Sequence, residues 1–266
     1  MISPLLLSLF ATAAVGAPQS ANCRCRPSDS CWPSVEEWSS LNKTIHGNLV
    51  AVRPVASVCH QPGYNADACK VVTDIWTDSV WRSSQPGAGQ WENWEAWPER
   101  NQSCYIESPA STTCQQGRIS LYSAIVQSAS DIQQTVRFAS SHNLRLAIKN
   151  TGHDFLGRST APESLQILTH NMKDIKIVDR FVPKGSLKSE GPAITIGAGV
   201  QLPQMYEAAA QHNRTVIGGS SHTVGAAGGY VQGGGHSPFG HWKGLASDNA
   251  LEFEVVMADV SIIHEE

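Results

Sequence analysis

The stretch Lys149-Asn150-Thr151-Gly152-His153-Asp154-Phe155-Leu156-Gly157-Arg158-Ser159 follows the alternating run Leu144 to Ile148, so a strand is expected to run straight into a glycine-bounded turn. A strand that ends in small residues offers unpaired backbone N–H groups to an anion, and the imidazole of His153 beside them is a potential nucleophile. The pattern points to a phosphate-bearing cofactor, with a covalent hold as one option. Taken alone, His153 also reads as an ordinary polar turn residue.

A second segment supplies what the first lacks. Residues 218–244 read GGSSHTVGAAGGYVQGGGHSPFGHWKG and hold 10 of the 22 glycines, with no apolar run long enough for a core helix. Glycine at that density weakens regular structure and is expected where the backbone passes close to a bulky group. A flexible linker would lack the interspersed Val, Tyr, Phe and Trp, so a cofactor cradle is the better reading.

Together these segments resemble the flavin-binding domain of the vanillyl-alcohol-oxidase (VAO) superfamily, and within it the berberine-bridge-enzyme-like FAD-linked oxidoreductases of fungi. The GHDFxGRS turn, the GGSSHTVGAAGG run and Gly244-Leu245-Ala246-Ser247-Asp248-Asn249 stand in that family's order, and the likeness runs from about Gly117 to about Asp259. It implies FAD, with His153 bonded to the flavin 8α-methyl. It also implies cofactor contacts from Lys149, Asn150, Thr151, Gly152, Asp154, Gly157, Arg158 and Ser159, and from Gly218, Gly219, Ser220, Ser221, His222, Thr223, Gly225, Gly228, Gly229 and His236. Ser221 stands where many relatives carry a second, cysteine tether, so a single tether is expected.

The expected fold class is α+β: a VAO/PCMH-type FAD-binding domain over 117–266, incomplete at its C-terminus, behind a Cys/Trp-rich extension over 18–116. Two helix signals frame the architecture. One starts at Ser128-Ala129-Ser130-Asp131 and stops at His142-Asn143; the other starts around Pro203 and stops at His212-Asn213. Short strands are expected over Ser164 to His170, Asp174 to Asp179 and Ala193 to Val200, and Thr215 to Ile217 reads as a strand leading into Gly218. The family is roughly twice as long, with a second domain that covers the flavin and supplies the catalytic base. The substrate domain is therefore expected to be missing, and the acidic end after Val260 reads as a truncated or mis-spliced product.

Residues 1–17 read as a secretory signal: Leu5 to Val15 is apolar but too short to span a bilayer, and Val15-Gly16-Ala17 is a plausible cleavage site. Three sequons, at Asn42, Asn101 and Asn213, agree with a secreted or lumenal route. All seven cysteines precede the flavin-like segment, which suits a disulfide-stapled extension with one thiol left over; the connectivity stays open, and a zinc knuckle at Cys23, Cys25 and Cys31 is the disfavoured rival. With 19 basic and 23 acidic side chains the net charge is −4, and nothing suggests a nucleic-acid partner. The tryptophan-rich stretch from Trp76 to Trp97 is expected to be a loop pinned by aromatic anchors rather than a sugar platform. His222, His236 and His241 lack carboxylate or cysteine partners at ligand spacing, so no metal is expected there. Asp248 is expected to fix its loop through backbone N–H groups, and the resemblance also allows it a place near the cofactor.

By resemblance, the chemistry is transfer of an electron pair from a small-molecule substrate to the flavin, followed by reoxidation with O2. No residue of this chain is assigned as the base. Within the family, the string from Gly157 to Asp174 looks most like the ergot-alkaloid members that form chanoclavine by oxidative cyclisation. Secreted oxidases of sugars or polyketides, an inactive truncated homologue, and a glycan-binding module built on the tryptophan loop stay open as alternatives.

Overall fold

The computed structural model describes residues 23–265, so the expected signal segment lies outside the described residues. Helix α1 (Val35–Thr44) opens the described chain with a Ser34/Glu37 capping box and leads into strand β1 (Leu49–Ala51). Helices α2 (Ala66–Asp74) and α3 (Ser79–Ser84) follow, capped by Asn65 and Asp78, and a long irregular stretch carries the tryptophans to β2 (Tyr122–Ile125). Helix α4 (Ala129–Ser141) connects β2 to β3 (Arg145–Lys149), and the segment after β3 returns to β4 (Ser164–Leu168).

These strands form one sheet in the order β1-β2-β4-β3, with β4 parallel to both neighbours and β1 antiparallel at the edge. Every residue of β4 is buried, as expected of a strand covered on both sides. One of its faces carries a polar set, in which Ser164 donates to Ser120 Oγ at 2.8 Å and Ser123 to Gln166 Oε1 at 2.9 Å. The other face belongs to an apolar core in which Trp38 and Leu41 of α1 and Ile45 just past its end meet Ala139 of α4, Leu144, Ala124, Leu165 and Ile167. Trp38 stacks on Tyr122 at 4.1 Å between ring centres. The extension therefore contributes both a strand and a core helix to the sheet that carries His153.

The predicted helix stops hold for a local reason. Asn143 and Asn213 adopt φ of 50° and 53° just past the helices Ala129–Ser141 and Leu202–Gln211, a positive φ that asparagine tolerates. A second core is built by the antiparallel pair β5 (Ile175–Phe181) and β6 (Gly191–Ile196) with helix α5 (Leu202–Gln211), and it centres on Val200, Leu202, Met205 and Ala226. Two short helices, α6 (Gly229–Gln232) and α7 (Gly240–Lys243), interrupt the glycine-rich segment, and the hairpin β7 (Phe253–Val256) and β8 (Ile262–Glu265) closes the described chain. The architecture is α+β.

One expected strand does not form. Residues 214–219 have no regular structure; Val216 packs on the second core through its side chain, and among the described residues Thr215 to Ile217 pair with no strand. Three disulfides join Cys25 to Cys31, Cys59 to Cys69 and Cys104 to Cys114, each across a short loop before residue 117. Two of the would-be zinc ligands are thus bonded to each other. Asn101 and Asn213 are exposed, whereas Asn42 is half-buried and its Oδ1 accepts from the N–H of Leu49 at 2.9 Å.

Candidate functional site

The two glycine-rich segments meet between the two cores. The turn after β3 comes from the sheet, the segment after α5 from the second core, and their contact brings His153 Nε2 within 2.7 Å of Thr223 Oγ1 across 70 residues of sequence. Thr223 is buried, and it is held from behind because Gln201 Nε2 donates to its carbonyl oxygen at 3.0 Å. Leu202 N–H donates to Val224 and Ala226 N–H to Val200, which lays this part of the second segment along the β6–α5 junction. Gln201 carried no local signal, since its role is to join residues 22 apart.

Asn150 forms the second bridge. Its Nδ2 donates to Ala198 O at 2.6 Å, and a Cβ on Gly225 would lie 2.2 Å from that nitrogen, so only glycine lets the segments approach this closely. His153 is half-buried, and its imidazole is held below the ordinary histidine range, first by burial and then by the neighbouring charge of His222. The shift favours the neutral ring, which a nucleophile requires.

The other residues of the first turn divide into braces and contacts. Asp154 accepts from the Arg158 backbone N–H at 2.5 Å and from its guanidinium at 2.6 Å, and that pairing keeps the Asp154 carboxyl below the usual range. Ser159 O accepts from Gln166 Nε2. Thr151 O and Gly152 O both face the extension, where Gln90 donates to each. Lys149 leaves the group altogether. Its fully buried ammonium donates to Arg82 O, Gln85 O and Ala88 O, beneath the turn and at the end of α3, so it anchors the turn to the extension rather than facing a ligand.

The tryptophan stretch is the outer clamp of the same turn. Trp94 Nε1 donates to Phe155 O at 3.1 Å, Trp91 stacks on the Phe155 ring, and Gly157 lies against the Trp94 indole. The loop is thus pinned by its indoles, with cations over three of them: Arg82 on Trp76, Arg100 on Trp97 and Arg118 on Trp94.

In the second segment Gly218 and Gly219 wrap Tyr206 and Tyr230, with Tyr206 OH donating to Gly219 O and Tyr230 OH to His236 O. The Tyr206 and Tyr230 contacts were not anticipated from sequence. Ser220, Ser221, His222 and His236 are exposed at the surface of this segment. Asp248 does what its loop position suggested, accepting from the Leu245 N–H at 2.7 Å.

The arrangement fits a dinucleotide such as FAD. Among the described residues, the backbone N–H groups of Gly152, His153, Ser221 and His222 have no acceptor, as an anion site requires. Asn150 Oδ1 is a buried acceptor with no partner, and Cβ atoms built on Gly228 and Gly229 would meet open space. Ile148, Phe155 and Leu156, on the strand and turn that carry His153, leave apolar surface uncovered.

Comparison with known proteins agrees with this geometry. Residues 121–265 match the family described as FAD binding domain. The chain is 60% identical to an uncharacterised FAD-linked oxidoreductase of Arthroderma benhamiae over 98% of its own length and 45% of the relative's. It is 47% identical to the FAD-linked oxidoreductase easE of Claviceps fusiformis over 99% and 46%. The crystal structure of the VAO-type flavoprotein MtVAO615 from Myceliophthora thermophila superposes with a TM-score of 0.82 at 39% identity, over 91% of this chain and 43% of that one. The chain therefore spans about half the length of the curated relatives it matches. With its site at the meeting of two glycine-rich segments on a VAO-type fold, the chain belongs to the FAD binding domain family of FAD-linked oxidoreductases.

Proposed function

We propose that this chain is the FAD-holding part of an oxidase-type oxidoreductase of fungal secondary metabolism, with the flavin bonded to His153. The observation that carries the reading is the half-buried His153 at the end of a parallel strand, its Nε2 held by Thr223 where the two glycine-rich segments meet. When bound, FAD supplies an acceptor for an electron pair from the substrate, which O2 then removes. The chain's own residues bind and orient it. The Gly152 to Asp154 turn and the Ser220 to Thr223 segment offer backbone N–H groups, Asn150 offers its unpartnered oxygen, and the Asp154–Arg158 pair keeps the turn closed.

The substrate proposed is an ergot-alkaloid precursor on the way to chanoclavine, on the strength of the likeness of the 157–174 string. Secretion, with glycans at Asn42, Asn101 and Asn213, belongs to the same proposal. The chain expressed in a eukaryotic secretion host and precipitated with acid should stay yellow, and the His153→Ala variant should release all of its flavin to the supernatant. Flavin that stays on the variant, or a correctly folded wild type that never carries any, would reject the reading.

A further inference from the structure

We propose that Thr223 is a positioning residue for flavin attachment: its hydroxyl holds the His153 ring in the orientation from which the bond to the flavin 8α carbon forms. The inference rests on the reading that His153 carries the flavin.

The geometry leaves little freedom. The His153 Nε2 to Thr223 Oγ1 contact is 2.7 Å, Thr223 is 2% exposed, and its hydroxyl has no other partner among the described residues. Its carbonyl is held by Gln201 Nε2, and the Gln201 backbone N–H in turn donates to Gln204 Oε1 at 3.0 Å. The ring is therefore oriented by a group that is itself immobile.

Only one of the two ring tautomers suits attachment. If the hydroxyl donates to Nε2, the proton sits on Nδ1 and neither nitrogen has a lone pair to give. If Nε2–H donates to the hydroxyl, Nδ1 keeps its lone pair and the ring is a nucleophile. In the attachment an N–C bond forms between Nδ1 and the 8α carbon, and one C–H bond of that methyl breaks. The alkylated ring, now an imidazolium, loses its Nε2 proton to water. The two electrons and two protons released go to O2, which leaves as hydrogen peroxide.

The burial and the nearby His222 that keep the ring neutral act in the same direction, because an imidazolium has no lone pair at either nitrogen.

The test uses the full chain, produced without flavin in a riboflavin-limited host and mixed with FAD in air. Two quantities are followed: bound flavin by its absorbance, and attached flavin by fluorescence that stays with the chain on a denaturing gel. Thr223→Val should bind FAD within about threefold of wild type but attach it at least roughly tenfold more slowly, since a loosely held group reacts less often in the productive geometry. Thr223→Ser, which keeps the hydroxyl, should recover most of the rate. Wild-type attachment by Thr223→Val would overturn the proposal. So would a loss of FAD binding in Thr223→Val that serine fails to restore, because it assigns the residue to packing alone. His153→Ala serves as the separate control: attachment that survives there defeats the underlying reading instead.

Discussion

Lys149→Met should be the most destabilising single change in the region of the site, lowering stability by about 3–5 kcal/mol and the melting temperature by on the order of 10 °C. The side chain is 1% exposed and gives its protons to Arg82 O, Gln85 O and Ala88 O, the last at 2.6 Å. Methionine fills the volume but leaves Ala88 O without a donor and Arg82 O and Gln85 O with only their long 3.3 Å bonds from Gln85 N–H and Ala88 N–H. An orphaned carbonyl costs about 1–3 kcal/mol and each lost bond adds to it, partly offset because a charge no longer has to be buried. A buried ion pair lies alongside, in which Arg82 Nη2 donates to Glu95 Oε1, and Gly89 N–H donates to the same oxygen at 2.8 Å.

Burial pulls the Lys149 ammonium down to about 7, with Glu95 opposing the shift and Arg82 adding to it. The unfolded chain holds this proton up to its ordinary pKa of 10.5, so between about pH 7 and 10.5 the unfolded state binds more protons. The burden that Lys149 places on the fold is full below pH 7 and relieved as pH rises. The gap between wild type and Lys149→Met should accordingly widen from pH 7 towards pH 10. Urea titrations of both chains at pH 6.5 and pH 9 check this; a loss under about 1 kcal/mol at both would show that the three carbonyls do not depend on the lysine.

Gly157→Ala is expected to have the next largest effect, and on the cofactor turn itself. The residue has φ of +73°, and an added Cβ would lie 2.5 to 2.8 Å from three atoms of the Trp94 ring. An alanine in that backbone conformation costs about 1–2 kcal/mol, and forced overpacking about 1–3 kcal/mol more. The indole cannot simply withdraw, because its Nε1 is bonded to Phe155 O and the Arg118 guanidinium lies over its face at 5.5 Å. The strain therefore falls on the turn that carries His153, and attached flavin should drop severalfold. Trp94→Ala placed in the Gly157→Ala background should restore part of the attachment, since it removes the wall that the new methyl meets. A double variant no better than Gly157→Ala would locate the damage in the backbone conformation alone.

Sequence by itself determined the features that depend on near neighbours. The strand that delivers His153, the Ser128 cap, the asparagine stops at 143 and 213, and the glycine-rich second segment are all set by periodicity and by backbone preferences acting over a few residues. Tertiary structure alone decided which distant groups meet. Thr223 joins His153 from 70 positions away, the Lys149 side chain turns beneath its own strand to hold residues 82–88, and the tryptophan stretch packs against Phe155 and Gly157. Thr215 to Ile217 has a strand's composition but gains no partner among the described residues, and β1 of the extension pairs with β2 far along the chain, Ala51 opposite Tyr122. The physical reason is common to all of these. Local pattern sets what a segment can become, but a hydrogen bond or a packed ring also needs the other partner, whose arrival depends on how the two cores dock.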